Sequence, residues 1–340
     1  MKRSALVSIL VLLFTLAGAI GAQRGPAAAA IPTANAFLAM LDAGERAKAA
    51  FPFNSPQKTN WSNLPSGIYQ RNSLRLGDLT PAKRSAALAV VAAVLSADGY
   101  RKVTDIMNGD EVLRGAGGGQ TGGRGGRGGV VFGAAEYYIA ILGTPSATAP
   151  WMVQFGGHHL AINVTIVGQN NVITPSLPAA QPAKYTLNGQ TIRPLGKEND
   201  KGFALIGALT AEQRKQAILS YRVSDLVLGP GEDGKTIQPE GIPASALNAS
   251  QQAMLLDLAH EWVGILNDEG ATARMAEIRS NLSRTFFAWS GATENGGLAY
   301  FRIQGPTVLI EYAPQQGDLD HIHTIYRDPT NDYGARLVAR

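Results

Sequence analysis

The chain predicts an α+β fold in which an antiparallel sheet, ending in a C-terminal meander, packs against grouped helices. Helix signals come in groups rather than alternating with strands, which disfavours a doubly wound parallel sheet. Three strand-like runs at 298–304, 307–313 and 321–327 lie close together, separated by the turn formers Gly305-Pro306 and Gln315-Gln316-Gly317-Asp318. No glycine-rich phosphate loop follows a strand and opens a helix.

The first element is Lys2 and Arg3 followed by an apolar run from Ala5 to about Ile20 and the small residues Ala19, Gly21 and Ala22. That layout predicts a signal peptide over 1–22, removed on export to the periplasm or beyond. The apolar run is close to membrane-spanning length, so an uncleaved anchor is the competing reading. Residues 23–32 read as a disordered lead-in, and 33–336 as one domain. About 315 residues suffice for a substantial core.

Leu79-Thr80-Pro81, Leu209-Thr210-Ala211 and Leu247-Asn248-Ala249 each place a capping residue before an Ala-, Gln- or Leu-rich run, which marks helix starts. Pro81 suits the first helical position, where its missing amide costs nothing. Helices are expected at 81–97, 99–108, 211–221, 249–267 and 270–284. The unequal intervals between the three starts argue against an array of repeats. Further strands are expected at 135–142, 151–167 and 185–187. Residues 115–129, GAGGGQTGGRGGRGG, have no apolar periodicity and read as an inserted loop.

Composition narrows the chemistry. The chain has no cysteine, which removes disulfides, thiolate ligands and cysteine nucleophiles, so any metal must use His, carboxylate or water. The net charge of +4 includes Lys2 and Arg3 and predicts neither nucleic-acid nor anionic-membrane binding. No Gly-x-Ser-x-Gly elbow is present.

Four of the five histidines form two clusters, His158-His159 and His321-Ile322-His323. Residues two apart on a strand share a face, so His321 and His323 can offer two imidazoles to one ion. His158 and His159 point to opposite faces of a regular strand. His159 is slightly preferred as a ligand, with His158 the alternative or a supporting donor. If the hairpin loop spans 314–320, Glu311 opposes His323 on the same face and serves as a fourth ligand or general base. Arg302 and Arg327 are candidates for stabilising developing negative charge. Against the metal stands the plainer possibility that these imidazoles only hydrogen-bond in a polar core. The run 326–334, with Tyr326, Arg327, Asp328, Asp332 and Tyr333, either orients a substrate or forms a capped loop. His260 falls off the core face of its helix and reads as solvated.

The motifs GGHHLAIN around His158-His159, YFRIQGP at 300–306 and HIHTIYRDPTNDYG at 321–334 together resemble a family of exported bacterial proteins catalogued only as a domain of unknown function. The resemblance covers roughly 33–336 and carries no activity. The residues themselves point to an exported metal-dependent enzyme with one divalent ion, zinc before copper or iron. The favoured chemistry is hydrolysis by metal-activated water, with a small-molecule, peptide or sugar substrate. Oxidoreductase chemistry at copper or iron is the alternative, as is a non-catalytic ligand- or metal-binding protein. Neither nucleic acid nor stable membrane insertion after signal cleavage is expected.

Overall fold

The computed structural model describes residues 26–117 and 129–339. The signal-like segment and most of the glycine-rich tract lie outside the described residues.

The first half contains helices α1 (Pro26–Met40) and α2 (Ala43–Ala49), strands β1 (Ala50–Phe51) and β2 (Leu74–Arg75), and helices α3 (Pro81–Val94) and α4 (Ala97–Gly115). Strands β3 (Tyr138–Leu142), β4 (Trp151–Gly157), β5 (Leu160–Val167), β6 (Asn170–Val172) and β7 (Leu177–Pro178) follow. A small hairpin, β8 (Tyr185–Leu187) and β9 (Gln190–Ile192), leads into the second half. That half contains α5 (Gly196–Ala208), α6 (Ala211–Ala217), β10 (Ile242–Pro243), α7 (Ala249–Val263), α8 (Asp268–Ser280), β11 (Phe286–Gly291), β12 (Ala299–Gly305), β13 (Val308–Pro314) and β14 (Ile322–Arg327). A short helix, α9 (Ala335–Val338), comes last.

The C-terminal sheet runs β10-β11-β12-β13-β14 with every pairing antiparallel, which is the expected meander with two strands added. Two expectations are corrected and one strand is added. Residues 151–167 are not one strand but two, folded back at His158-His159. The apolar run Phe286–Gly291, which shows no alternation because both faces are covered, is a strand. Part of the expected lead-in is helical: Ala-rich α1 starts at Pro26 and buries Ala30, Ala34 and Phe37 in the core, packing on α3.

The two halves repeat one topology. Helix α2 opens with an Asp42/Glu45 capping box and α6 with a Thr210/Gln213 box. Each of these helices ends in residues aligned parallel to a strand, Ala50 with Ile141 and Ile218 with Trp289. Strands β2 and β10 pair antiparallel with β3 and β11, and each leads through one tight turn into a long helical hairpin. Helix α1 packs on α3 as α5 packs on α7. A buried polar pair lies at the matching place in each sheet, Gln154 opposite Asn163 and Arg302 opposite Glu311. The helix starts Thr80 and Asn248 are therefore equivalents, and the partner of Thr210 is Asp42.

The halves meet along one strip. Strand β7 pairs with β5, while its neighbours Ser176 and Ala180 bridge to Tyr326 and Ile322 of β14 through paired backbone bonds of 2.8–2.9 Å. On the helical side Leu95 bridges Leu266. Apolar residues of one sheet face, among them Phe155, Ile162, Phe301 and Ile310, join the helices in the main core. The opposite face carries the buried polar pairs. It is covered by the loop after β1, which bonds Gln154 through Gln57 and Lys58, and by the loop after α6, which bonds Glu311 through Val227 and Leu228.

Candidate metal centre

His158 and His159 form the two-residue turn between β4 and β5, because Gly157 pairs with Leu160. His159 has φ +60°, a left-handed conformation that costs a non-glycine residue roughly 1–2 kcal/mol. The surroundings hold it there. Its amide donates to the Asn63 carbonyl at 3.0 Å and its carbonyl accepts from Ala179 at 2.8 Å. Tyr137 donates its hydroxyl to the His158 carbonyl at 2.8 Å. A Cβ at Gly157 would lie 2.8 Å from the Tyr137 ring, so the tip needs glycine beside it. Such strain is characteristic of functional turns.

The strip that joins the halves carries this turn to the start of β14. Ala179 binds His159, and the next residue, Ala180, binds Ile322 between His321 and His323. Three imidazoles from both halves thus converge. His159 Nε2 is 2.8 Å from His321 Nε2, which is 3.1 Å from His323 Nε2. One ligand atom from each of the three lies within 4.8 Å of the others. Three nitrogens bound to a tetrahedral zinc at about 2.0–2.1 Å are spaced by about 3.3 Å, so only small shifts separate this cluster from a ligand shell.

Hydrogen bonding leaves one close approach of the cluster without a bond. A neutral imidazole nitrogen carries either one proton or one in-plane lone pair. The central His321 Nε2 faces two nitrogens and can satisfy one. A cation among the three lone pairs satisfies them all. Burial, followed by the charges of His158, His323 and His321, holds His159 well below the ordinary imidazole pKa. Burial and the neighbouring histidines lower His321 to about 4. Both remain neutral at physiological pH, as ligands must be.

Two further groups orient the site. Asp225 Oδ1 sits 2.9 Å from His323 Nδ1, which places the proton on Nδ1 and turns the lone pair of Nε2 toward the cluster. Burial disfavours the Asp225 charge, but bonding to His323 outweighs this and its pKa falls below the ordinary carboxyl value. Asn63 Nδ2 approaches His323 Nε2 at 3.3 Å. Neither loop residue carries a sequence signal, since each reaches the site only through the long-range fold. His158 is outside the three-nitrogen cluster. Its ring stacks on His159 with centroids 3.6 Å apart, and its Nδ1 is 2.6 Å from the buried Asp110 Oδ1.

Glu311, Arg302 and Arg327 do not join the histidines. Glu311 shares a face with His323, as its parity predicts, but the register is shifted by one pair: Ala313 opposes His323 and Glu311 opposes Ile325. Its fully buried carboxylate accepts from the amides of Val227 and Leu228 at 2.9 and 2.8 Å and from the Tyr300 hydroxyl at 2.6 Å. Arg302 bonds Glu240 and Tyr300. Arg327 clamps the carbonyls of Leu228 and Gly229 and pairs with Asp233 and Asp332. Glu311 and Arg327 grip the loop that carries Asp225. The run 326–334 ends β14 at Arg327 and continues as a capped loop: Asp328 accepts from Thr330 and pairs with Arg274, and Tyr333 bonds Trp61 and Asp233. His260 is exposed on α7.

His323 forms part of the wall of an open cleft of about 570 Å³. The cleft lies between the two covering loops, with Trp61, Asn63 and Tyr69 on one side and Asp225, Val227 and Glu232 on the other. Three imidazoles leave a fourth coordination position, and the cleft gives a small molecule access to this wall.

No helix among the described residues is long and apolar enough to cross a membrane. No curated protein and no solved structure matches the chain. A family model described as protein of unknown function (DUF3500) matches residues 23–335, nearly the whole chain, and the protein belongs to that family.

Proposed function

We propose that this protein is an exported metal-dependent enzyme, a hydrolase in which His159, His321 and His323 hold one divalent ion, zinc before copper or iron. The observation that carries the reading is the convergence of three Nε2 atoms, that of His321 lying 2.8 Å from His159 and 3.1 Å from His323 although it can bond only one of them. Ligand type favours zinc: three imidazoles without thiolate, and a fourth position left for water. Bound there, the ion would bring the pKa of water toward neutrality and supply the nucleophile. The cleft beside His323 favours an enzyme over a carrier, which needs only a closed shell. Export rests on Lys2, Arg3 and the apolar run after them. A single domain, begun by α1 rather than at residue 33, is supported by a main core that draws on both halves.

Metal analysis of protein purified without chelator tests the proposal. One zinc, copper or iron per chain is expected, and none in the His321→Ala, His323→Ala double variant. Metal-free protein that takes up no ion on titration would refute it.

A further inference from the structure

Asn63 touches two members of the histidine cluster at once. Its backbone carbonyl holds the His159 amide at 3.0 Å, and its side-chain Nδ2 points at His323 Nε2 at 3.3 Å. Among the described residues Nδ2 makes no other hydrogen bond. An ion bound by the three imidazoles takes up the His323 lone pair, and the Asn63 amide protons then lose their acceptor beside that ion. Asn63 is 8% exposed and lines the cleft, so an oxygen entering from the cleft is well placed to replace the lost acceptor. A donor in this position stabilises negative charge developing on that oxygen.

The cleft also selects by charge. Asp225 and Glu232 line it, and no lysine or arginine does so among the described residues. The chain as a whole is basic, with net charge +4, so the acidic lining is local. Apart from the ion itself, phosphate, sulfate and carboxylate substrates would meet Asp225 and Glu232, the latter paired with Lys235, and no lysine or arginine in the lining to clamp them.

We infer that the cleft takes an uncharged acyl compound, an ester or amide, and that Asn63 Nδ2 donates to its carbonyl oxygen. The inference rests on the metal-hydrolase reading above. In the reaction the water oxygen bonds to the carbonyl carbon and the bond from that carbon to the leaving oxygen or nitrogen breaks. One water proton ends on the leaving group, and the other is released when the product acid ionises. Of the carboxylates along the cleft, Asp225 faces the product acid most directly, whereas a neutral substrate meets no such repulsion.

The test uses the zinc-loaded full-length protein with three chromogenic probes: 4-nitrophenyl acetate, the carboxylate-bearing mono-4-nitrophenyl succinate and 4-nitrophenyl phosphate. The expected order of kcat/KM is the neutral ester first, the anionic ester at least tenfold lower and the phosphate lowest. Asn63→Ala should keep one metal per chain and the visible spectrum of the cobalt-substituted protein, yet lower kcat on the neutral ester about a hundredfold. Glu232→Gln should narrow the gap between the two esters. Absence of turnover of the neutral ester by metal-loaded protein, or preference for either anionic probe, overturns the substrate class. An unchanged kcat in Asn63→Ala overturns the donor role, as does loss of its metal, which would make Asn63 a ligand. Failure of wild-type protein to bind zinc or cobalt would instead refute the metal centre itself.

Discussion

Asp225 Oδ1 and His323 Nδ1 lie 2.9 Å apart although 98 residues separate them, and this one bond fixes which imidazole nitrogen faces the other histidines. A carboxylate behind a ligand histidine raises its basicity and sets its tautomer. Replacing Asp225 with Asn should weaken metal binding about 10- to 100-fold with little change in fold. Competition with a chelator of known affinity measures the difference, and far-UV circular dichroism checks the fold.

The two residues of the β4–β5 turn should separate cleanly. His159→Ala removes a converging nitrogen and should abolish tight metal binding. His158→Ala should retain the ion but leave the buried Asp110 without its partner at 2.6 Å, lowering stability by about 3 kcal/mol. Metal content and urea unfolding, run on both variants, would show the split.

Acid should weaken the metal-free protein in a defined window. His321 is held at about 4 against 6.5 for an ordinary imidazole. Between those values the unfolded chain binds a proton that the folded chain does not, so stability increases with pH through the window. It is fully present above about 6.5 and lost as pH falls toward about 4. His159 shifts in the same direction and adds to the slope. Unfolding midpoints of chelator-treated protein should therefore fall from pH 7 to pH 4.5, and the same protonations should release metal.

Glu311→Ala should be among the more damaging single changes, because it strands the amides of Val227 and Leu228 and the Tyr300 hydroxyl. A loss of roughly 2–4 kcal/mol is expected, together with weaker metal binding as the Asp225 loop loosens. Glu311→Gln retains an acceptor oxygen and should cost less. Thermal melts with and without zinc distinguish the two effects.

Much of the site was legible because its signals are local. The two-residue spacing of His321 and His323 and the parity of Glu311 follow from strand geometry. What Glu311 holds was not legible, since its acceptors are satisfied by amides more than 80 residues away. Asn63 and Asp225 are single polar residues in irregular loops and become conspicuous only when the sheets bring those loops together. His158-His159 read as strand because the apolar alternation resumes after them, and a tight turn needs no polar run when Gly157 precedes it. The twofold topology is hidden in the sequence because its halves are unequally interrupted. A long glycine-rich tract separates α4 from β3, whereas α8 and β11 are joined by a single tight turn.

His159 belongs to the first half and His321 to the second, 162 positions apart, so an ion between them would be a removable crosslink. An ion held by both would bind a site complete only where the strip from Ser176 to Ala180 joins β14, and it would oppose their separation. By mass action, free metal at a hundred times its dissociation constant adds about 2.7 kcal/mol to the native state. A chain nicked in the hairpin between β8 and β9 would therefore hold its two fragments together more firmly with metal than without. Metal supply would set how long a cleaved copy survives.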